Sequence, residues 1–320
     1  MVPTTPLTIG TRGSRLALRQ AERVVDAIHL HWPKWEVRTK VISSEGDLHP
    51  QIQPAELGDL AGQGIFTKAL DEALLNKEID LAIHSLKDLP LELVPGLQLI
   101  VILERADPRD VWISKDRQSL HQLRPGARIG TGSPRRSAQL KLLMPDCEIL
   151  PLRGNIDTRI QRLKSSEHSQ SDNEKMDGIV IALAGVSRAG LEKEITEILP
   201  FDQMLPAIGQ GAIVLVSRES DTEIAEQLKI LDHEQSRTEI MVERAFLAKL
   251  GGGCHVPIAG VAQLRDGIVT LKGAIFKVDG TSSVKGTLSS HKTEGIEMAH
   301  RLAQMLLAQG GSKLLAGVKR

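Results

Sequence analysis

Residues 7–28 read LTIGTRGSRLALRQAERVVDAI, and the fold is decided by how this stretch is parsed. Leu7 to Thr11 is a short β-type run, TRGSR is a turn, and Ser14 stands at an N-cap position. Ala17, Ala21, Val24, Val25 and Ile28 then form an apolar stripe at helical spacing. A strand that passes through a Gly/Ser turn into an amphipathic helix is the repeating unit of an open α/β sheet. Ligands bind at such turns, because backbone N–H groups at a helix start favour an anion. Arg12 and Ser14 therefore stand where an acidic group would be held, although a solvated turn arginine reads the same way in sequence.

The same grammar runs outward from there. Val37, Thr39 and Val41 alternate as a strand, and residues 46–64 form a long aperiodic stretch of the kind that covers sites. Helical spacing resumes from Phe66 to Leu74. An apolar strand, Ile79 to Ile83, delivers HSLKDLP (84–90) at its C-terminal end, where a carboxylate, Asp88, and Lys87 meet whatever binds there. Asp, Lys and Pro are also ordinary turn residues. Leu97 to Leu103 is a buried-type strand, and RADPRD (105–110) is a polar hinge. Strands at Val111 to Ser114 and Arg128 to Thr131 follow, then GTGSPRRSAQL (130–140) turns into a helix with Pro134 at its first position. Arg135 and Arg136 lie in that first turn against the helix dipole, so a bound polyanion would offset their charge.

A strand from Glu148 to Leu152 leads to RGNIDTR (153–159), which places Arg153 before a helix and Arg159 inside it. The tract at 165–175 is a polar loop. Gly178 to Leu183 is the next buried strand and is followed by Arg188. LPAIGQGAIVLVSRES (205–220) ends in another apolar strand, and helices are expected at 221–231 and 236–250, the second opened by a capping box of Ser236 and Glu239. Two alternating strands around Arg265-Asp266-Gly267 read as a hairpin, and a helix at 294–309 completes a small α+β domain. GGGCHVPIAG (251–260) strips side chains from the approach to Cys254, leaving room for a bulky group against the backbone.

Composition narrows the function. The 320 residues suit two or three domains. The 40 Lys and Arg cancel the 40 Asp and Glu, which argues against a nucleic-acid partner. No run of about eighteen apolar residues suggests a membrane span, and the N-terminus does not read as a secretory signal. The two cysteines, Cys147 and Cys254, are read as thiols. No His-x-x-x-His or Cys-x-x-Cys pair encodes a metal site. Arginines at several strand ends imply a cleft that gathers several carboxylates or phosphates. The absence of a GK[ST] or GxGxxG loop turns the reading away from nucleotides.

TRGSRLALRQA, HSLKDLP, GTGSPRR, LRGNIDTR, LPAIGQGA and GGGCHVPI, in this order, resemble the porphobilinogen deaminases, or hydroxymethylbilane synthases, over roughly residues 7 to 310. The resemblance implies two periplasmic-binding-protein-like α/β domains joined by a hinge, plus a small C-terminal α+β domain. The boundaries are 1–104 with 206–228, then 105–205, then 229–320. It implies a monomeric cytoplasmic transferase that condenses four porphobilinogens, with loss of ammonia, into hydroxymethylbilane.

By resemblance, Cys254 carries a dipyrromethane cofactor through a thioether, and Asp88 is the catalytic carboxylate. Ser85, Lys87, Thr131, Ser133, Arg135, Arg136 and Arg159 bind the cofactor's acidic side chains. Arg12, Ser14, Arg153, Arg159 and Arg188 take the substrate and growing chain. The chemistry suits this set: loss of ammonia leaves a cationic azafulvenium, which a fixed carboxylate stabilises, and each pyrrole carries an acetate and a propionate for the arginines. Gln63, where many members have lysine, and Pro134 and Ser137 depart from the family pattern. The rival readings are a two-lobed receptor for small anions without catalysis, and a thiol enzyme using Cys254 as nucleophile with His255 beside it.

Overall fold

The turn after the first strand is built as its sequence requires. Ser14 accepts the Ala17 N–H at 3.2 Å, and Thr11 donates from its hydroxyl to the Ala17 carbonyl at 3.2 Å, so both ends of TRGS are tied to the helix that follows. The structure is a computed structural model and describes residues 5–43, 67–166, 175–252 and 256–316. The covering stretch expected at 46–64, Gln63, most of the polar tract at 165–175, and Cys254 with His255 lie outside the described residues.

In chain order the elements begin with β1 (Leu7–Thr11), α1 (Arg15–His31), β2 (Val37–Val41), α2 (Lys68–Leu75), β3 (Leu81–Ser85) and β4 (Leu97–Ile102). Next come β5 (Asp110–Ser114), β6 (Arg128–Gly130), α3 (Pro134–Leu143), β7 (Glu148–Leu150), α4 (Ile156–Ser165), β8 (Gly178–Ala182), α5 (Leu183–Arg188) and β9 (Glu197–Ile198). The chain continues through β10 (Ile213–Arg218), α6 (Thr222–Leu228), α7 (Glu234–Lys249), β11 (Ile258–Arg265), β12 (Ile268–Phe276), β13 (Ser283–His291) and α8 (Gly295–Leu306).

These elements fall into two compact units. The first runs to Ala106 and resumes over Gly211–Arg237; the second comprises Asp107–Gln210 and the chain from Thr238 onward. The first unit holds one five-stranded sheet in the order β2-β1-β3-β10-β4. β1, β2 and β3 are parallel, and β10 enters antiparallel between β3 and β4. That central place explains its composition: IVLVSR is buried at all six positions, as a strand covered on both faces must be. Leu7, Ile9, Ala21, Val24, Ile28, Leu81, Ile83, Val101 and Leu215 pack one continuous core under α1.

The second unit contains two sheets. A five-stranded one has the order β7-β6-β8-β5-β9, and a three-stranded antiparallel one has the order β11-β12-β13. Trp112 on β5 is fully buried, with its indole N–H donating to the Gln118 carbonyl at 2.9 Å. The hairpin between β11 and β12 turns at Asp266 and Gly267, both with positive φ (49° and 76°), which matches the expected turn chemistry. Under the three-stranded sheet, Phe246, Leu271, Ile275, Met298, Leu302 and Leu306 form its core.

The observed architecture is the expected α/β class with a C-terminal α+β part. Two local features differ from the sequence reading. Ser236 and Glu239 do not form a capping box, because α7 already starts at Glu234. Ser236 instead accepts the Arg105 N–H at 2.9 Å and Glu239 accepts the Leu264 N–H at 2.9 Å, so tertiary partners take both side chains. β13 was not anticipated, because SVKGTLSSH is polar and lacks a β signature; its pairing along all of β12 makes it a strand. No helix among the described residues is long and apolar enough to cross a membrane.

One buried carboxyl works against this fold. Asp71 on α2 is 6% exposed and its Oδ1 has no partner. Burial pushes its pKa up to about 6, against a hydrogen bond with Thr67 that lowers it. The folded state thus holds the proton more tightly than the unfolded chain. Stability is fullest below the unfolded value near pH 4 and falls as pH rises toward 6. Asp71→Asn is expected to raise the thermal midpoint at pH 7.5, by on the order of 1–3 kcal/mol of stability, and to leave it unchanged at pH 4. Melting curves at the two pH values check this; equal shifts at both would show that the carboxyl is not the cause.

Candidate active site

The C-terminal end of β3 is the first place where the expected residues meet. Ser85 is the last residue of the strand and pairs with Ile213 of β10; the chain then makes a single turn over Leu86–Asp88. The Leu89 N–H closes that turn on the Leu86 carbonyl at 3.0 Å, and Leu86 and Leu89 are buried beneath it. Those two anchors hold the turn so that Asp88 is exposed at its end. Its carboxylate makes no hydrogen bond or ion pair among the described residues.

A concavity opens here, lined by Arg12, Ser14, Leu16, Ala17 and Gln20 of the first βα unit, by Thr67, and by Ile83, His84, Ser85 and Asp88. It encloses about 70 Å³, a shallow hollow beside the roughly 300–1,000 Å³ usual for small-molecule sites. Gln20, buried in α1, donates to the Ser85 hydroxyl at 2.7 Å and so fixes the strand end to the helix. Arg12, Ser14, Ser85 and Asp88, four of the residues singled out from sequence, line this one surface. Lys87 lies on the same turn but outside the lining. Gln20 and His84 were missed: a polar residue inside an apolar helix stripe was the available signal for Gln20, and His84 had none beyond its adjacency to Ser85.

The second unit gathers the remaining arginines around a different core. Ser133 caps α3, accepting the Arg136 N–H at 3.4 Å, and Pro134 takes the first helical position as expected. Arg135 and Arg136 are nonetheless buried, at 4% and 5% exposure. Both reach the Asp110 carboxylate at the start of β5: Arg135 Nη1 to Oδ2 at 2.7 Å, and Arg136 Nη2 to Oδ1 at 2.7 Å. Arg135 also donates to the Leu205 carbonyl at 2.5 Å, and Gln210 donates to Asp110 Oδ1 at 2.9 Å. An internal carboxylate thus offsets the first-turn charge that was expected to need an external anion. Burial pushes the Asp110 carboxyl up, but the Arg135 and Arg136 guanidiniums outweigh that and hold it far below the usual range.

Two guanidiniums against one carboxylate leave an excess of positive charge, and Arg135 Nε is buried with no hydrogen-bond partner. Thr131, also buried, exchanges backbone hydrogen bonds with Leu150 and Leu152, bringing the GTGS turn beside Arg153. Gly132 is required there, because a Cβ would lie 2.6 Å from the Leu152 carbonyl oxygen. Arg159 donates from Nε to the Gly154 carbonyl at 2.7 Å, which folds it back over the start of α4. Arg188 is half-buried in the last turn of α5, whose Gly185 packs on Ile156 of α4. Cys147 is free and buried; burial pushes its thiol up, which leaves it protonated and inert.

Two family models match the chain. One, described as porphobilinogen deaminase, dipyromethane cofactor binding domain, covers residues 7–226; the other, porphobilinogen deaminase, C-terminal domain, covers 237–308. The chain belongs to the porphobilinogen deaminase family. A porphobilinogen deaminase of Syntrophus aciditrophicus is 40% identical over 309 residues, 97% of each chain. One of Geobacter sulfurreducens is 42% identical over 312 residues, 98% of this chain and 94% of its own. Among solved structures, a TRAP periplasmic solute binding protein from Ralstonia eutropha aligns with 76% of this chain and 81% of its own, at 15% identity and a TM-score of 0.38.

In this member of the porphobilinogen deaminase family, the Asp110 carboxylate is the buried counter-charge of Arg135 and Arg136. Asp110→Asn leaves two buried guanidiniums without a counter-charge and is expected to cost about 3–5 kcal/mol. The midpoint of urea unfolding reads this; an unchanged midpoint would mean that the arginines do not depend on Asp110.

Proposed function

We propose that this member of the porphobilinogen deaminase family is a hydroxymethylbilane synthase, a transferase. It condenses four porphobilinogens head to tail, releasing ammonia at each addition, and frees hydroxymethylbilane by hydrolysis. The observation that carries the proposal is Asp88: an exposed carboxylate with no ion pair among the described residues, at the end of a single turn and in one concavity with Arg12 and Ser14. A carboxylate beside a developing pyrrole cation supports catalysis, and a guanidinium beside it supports binding of the ring's acidic substituents.

The residues present fit a dipyrromethane cofactor. Leu16, Ala17 and Ile83 offer apolar contact to a flat ring, while Arg12 and Ser14 offer donors to its acids. In the second unit, the excess positive charge at Arg135 and Arg136, with a buried Arg135 Nε free to donate, suits further carboxylates. When bound through Cys254, the dipyrromethane supplies the free pyrrole position on which the chain is extended.

On this reading Ser85, Lys87, Thr131, Ser133, Arg135, Arg136 and Arg159 hold the cofactor acids. Arg12, Ser14, Arg153, Arg159 and Arg188 bind and orient substrate. Asp88 stabilises positive charge at the pyrrole N–H and moves protons as ammonia leaves and the ring regains aromaticity. Because Asp88 makes no ion pair among the described residues, its charge is not already compensated before substrate arrives. We further read the chain as three domains (1–104 with 206–228, 105–205, and 229–320), each built on one of the three sheets, and as a cytoplasmic monomer.

Intact mass of the purified protein tests the cofactor. It is expected to exceed the mass of the bare chain by a dipyrromethane, and Cys254→Ser is expected to lack the adduct. A bare mass in the parent protein with no turnover would favour a binding protein instead. Asp88→Ala is expected to keep its circular dichroism spectrum and its adduct while losing about 100-fold or more of turnover, assayed as porphobilinogen consumption. Near-normal turnover would remove Asp88 from the mechanism.

A further inference from the structure

His84 lines the concavity, yet neither the fold nor the chemistry above uses it. It sits on β3 opposite Val214 of β10 and is only 5% exposed. Its Nε2 is buried and has no hydrogen-bond partner. Leaving such an atom unsatisfied destabilises the fold, a penalty that an aliphatic residue in the same strand would avoid. The neighbouring strand positions Leu81, Ala82 and Ile83 are all apolar and buried, so packing alone gives no reason for an imidazole here.

The surroundings say what kind of partner is missing. Burial first, and then the nearby Arg12 guanidinium, bring the ring's pKa down to about 4, which makes it neutral at physiological pH. A neutral imidazole beside Arg12 can present an N–H without adding a second positive charge. Arg12 offers only donors, so a group that accepts from both side chains carries more than one oxygen. Asp88, the acid lining the concavity, makes no hydrogen bond to the ring nitrogen Nε2. No described residue supplies the partner, and the concavity that His84 lines is open to one from outside.

We propose that His84 donates a hydrogen bond from Nε2 to a carboxylate oxygen of porphobilinogen, the same carboxylate that pairs with Arg12. This rests on the functional reading above and adds a residue to it. Arg12 supplies charge and His84 supplies direction, so the pair fixes the rotation of the acid side chain and with it the plane of the ring before Asp88. The tautomer with the proton on Nε2 is the one this requires.

The test uses the full-length protein carrying its cofactor, with His84→Leu and His84→Gln compared to the parent. Leucine removes the donor. Glutamine places an amide N–H close to the position of Nε2. His84→Leu is expected to raise KM for porphobilinogen about 10-fold or more, with a smaller change in kcat, while His84→Gln returns KM to within about threefold of the parent. The thermal midpoint of His84→Leu is expected to equal or exceed that of the parent, because an unsatisfied buried atom has been removed; a packing role would lower it.

An unchanged KM in His84→Leu, with the parent turning over porphobilinogen normally, would overturn the assignment and leave the function intact. So would a lowered thermal midpoint with no recovery of KM in His84→Gln. Failure of the parent itself to consume porphobilinogen would bring down the functional reading, and this inference with it.

Discussion

Asp110 sits at the first residue of β5 with no exposure, and its carboxylate is shared by the Arg135 and Arg136 guanidiniums and by the Gln210 amide. A charge this deep is tolerated only when paired and fully hydrogen-bonded, so the geometry around it is narrow. It fixes the start of α3 against β5, and it ties both to the segment 205–210, where Leu205 exchanges hydrogen bonds with Gln139 and accepts one from Arg135. From the same segment, Gly209 donates to Glu243 of α7, and the other oxygen of Glu243 accepts the Ala262 N–H of β11. One chain of buried polar contacts thus links the helix carrying the twin arginines to the three-stranded sheet. The apolar clusters on either side of the five-stranded sheet pack around a frame already set by these contacts.

The first unit uses a different device for the same end. Its binding surface depends on the register of β3, which brings Ser85 opposite Ile213 and leaves the next three residues as a turn. A slip of one residue would exchange the faces on which His84 and Ser85 point and would dismantle the lining. The insertion of β10 between β3 and β4 prevents that slip, because hydrogen bonds hold it on both edges. The chemistry-bearing groups are therefore borne on short, rigid turns at the ends of buried strands. This is the arrangement that lets an exposed carboxylate keep a fixed position without an ion pair.

Part of this was legible in the residues. The β-turn-α signature at 7–28, the helix start at Pro134 and the hairpin at Asp266-Gly267 all carry local signals that need no partner, and each is found as read. Arg12, Ser14 and Asp88 could be placed because strand ends in α/β sheets are where ligands bind, whatever the rest of the chain does, whereas Ser85 came only from the family resemblance. The capping box at Ser236 failed because the helix starts at Glu234 and the Ser236 hydroxyl is taken by the Arg105 N–H, a partner close to it only in the folded unit. The strand Ser283–His291 escaped because its polar residues acquire a β conformation from β12, not from themselves.

What the sequence alone determined about this protein is its class and its inventory: strands and helices that alternate by periodicity, arginines at the turns, a carboxylate after β3, and six motifs in family order. Periodicity and turn chemistry are local, so they survive without knowledge of the fold. Only the tertiary structure decided which charges face inward. The burial of Arg135 and Arg136 on Asp110, and the unpartnered Nε2 of His84 beside Arg12, depend on contacts between residues far apart in the chain. The energy of a charge or a donor is set by what surrounds it, and a linear sequence does not state its surroundings.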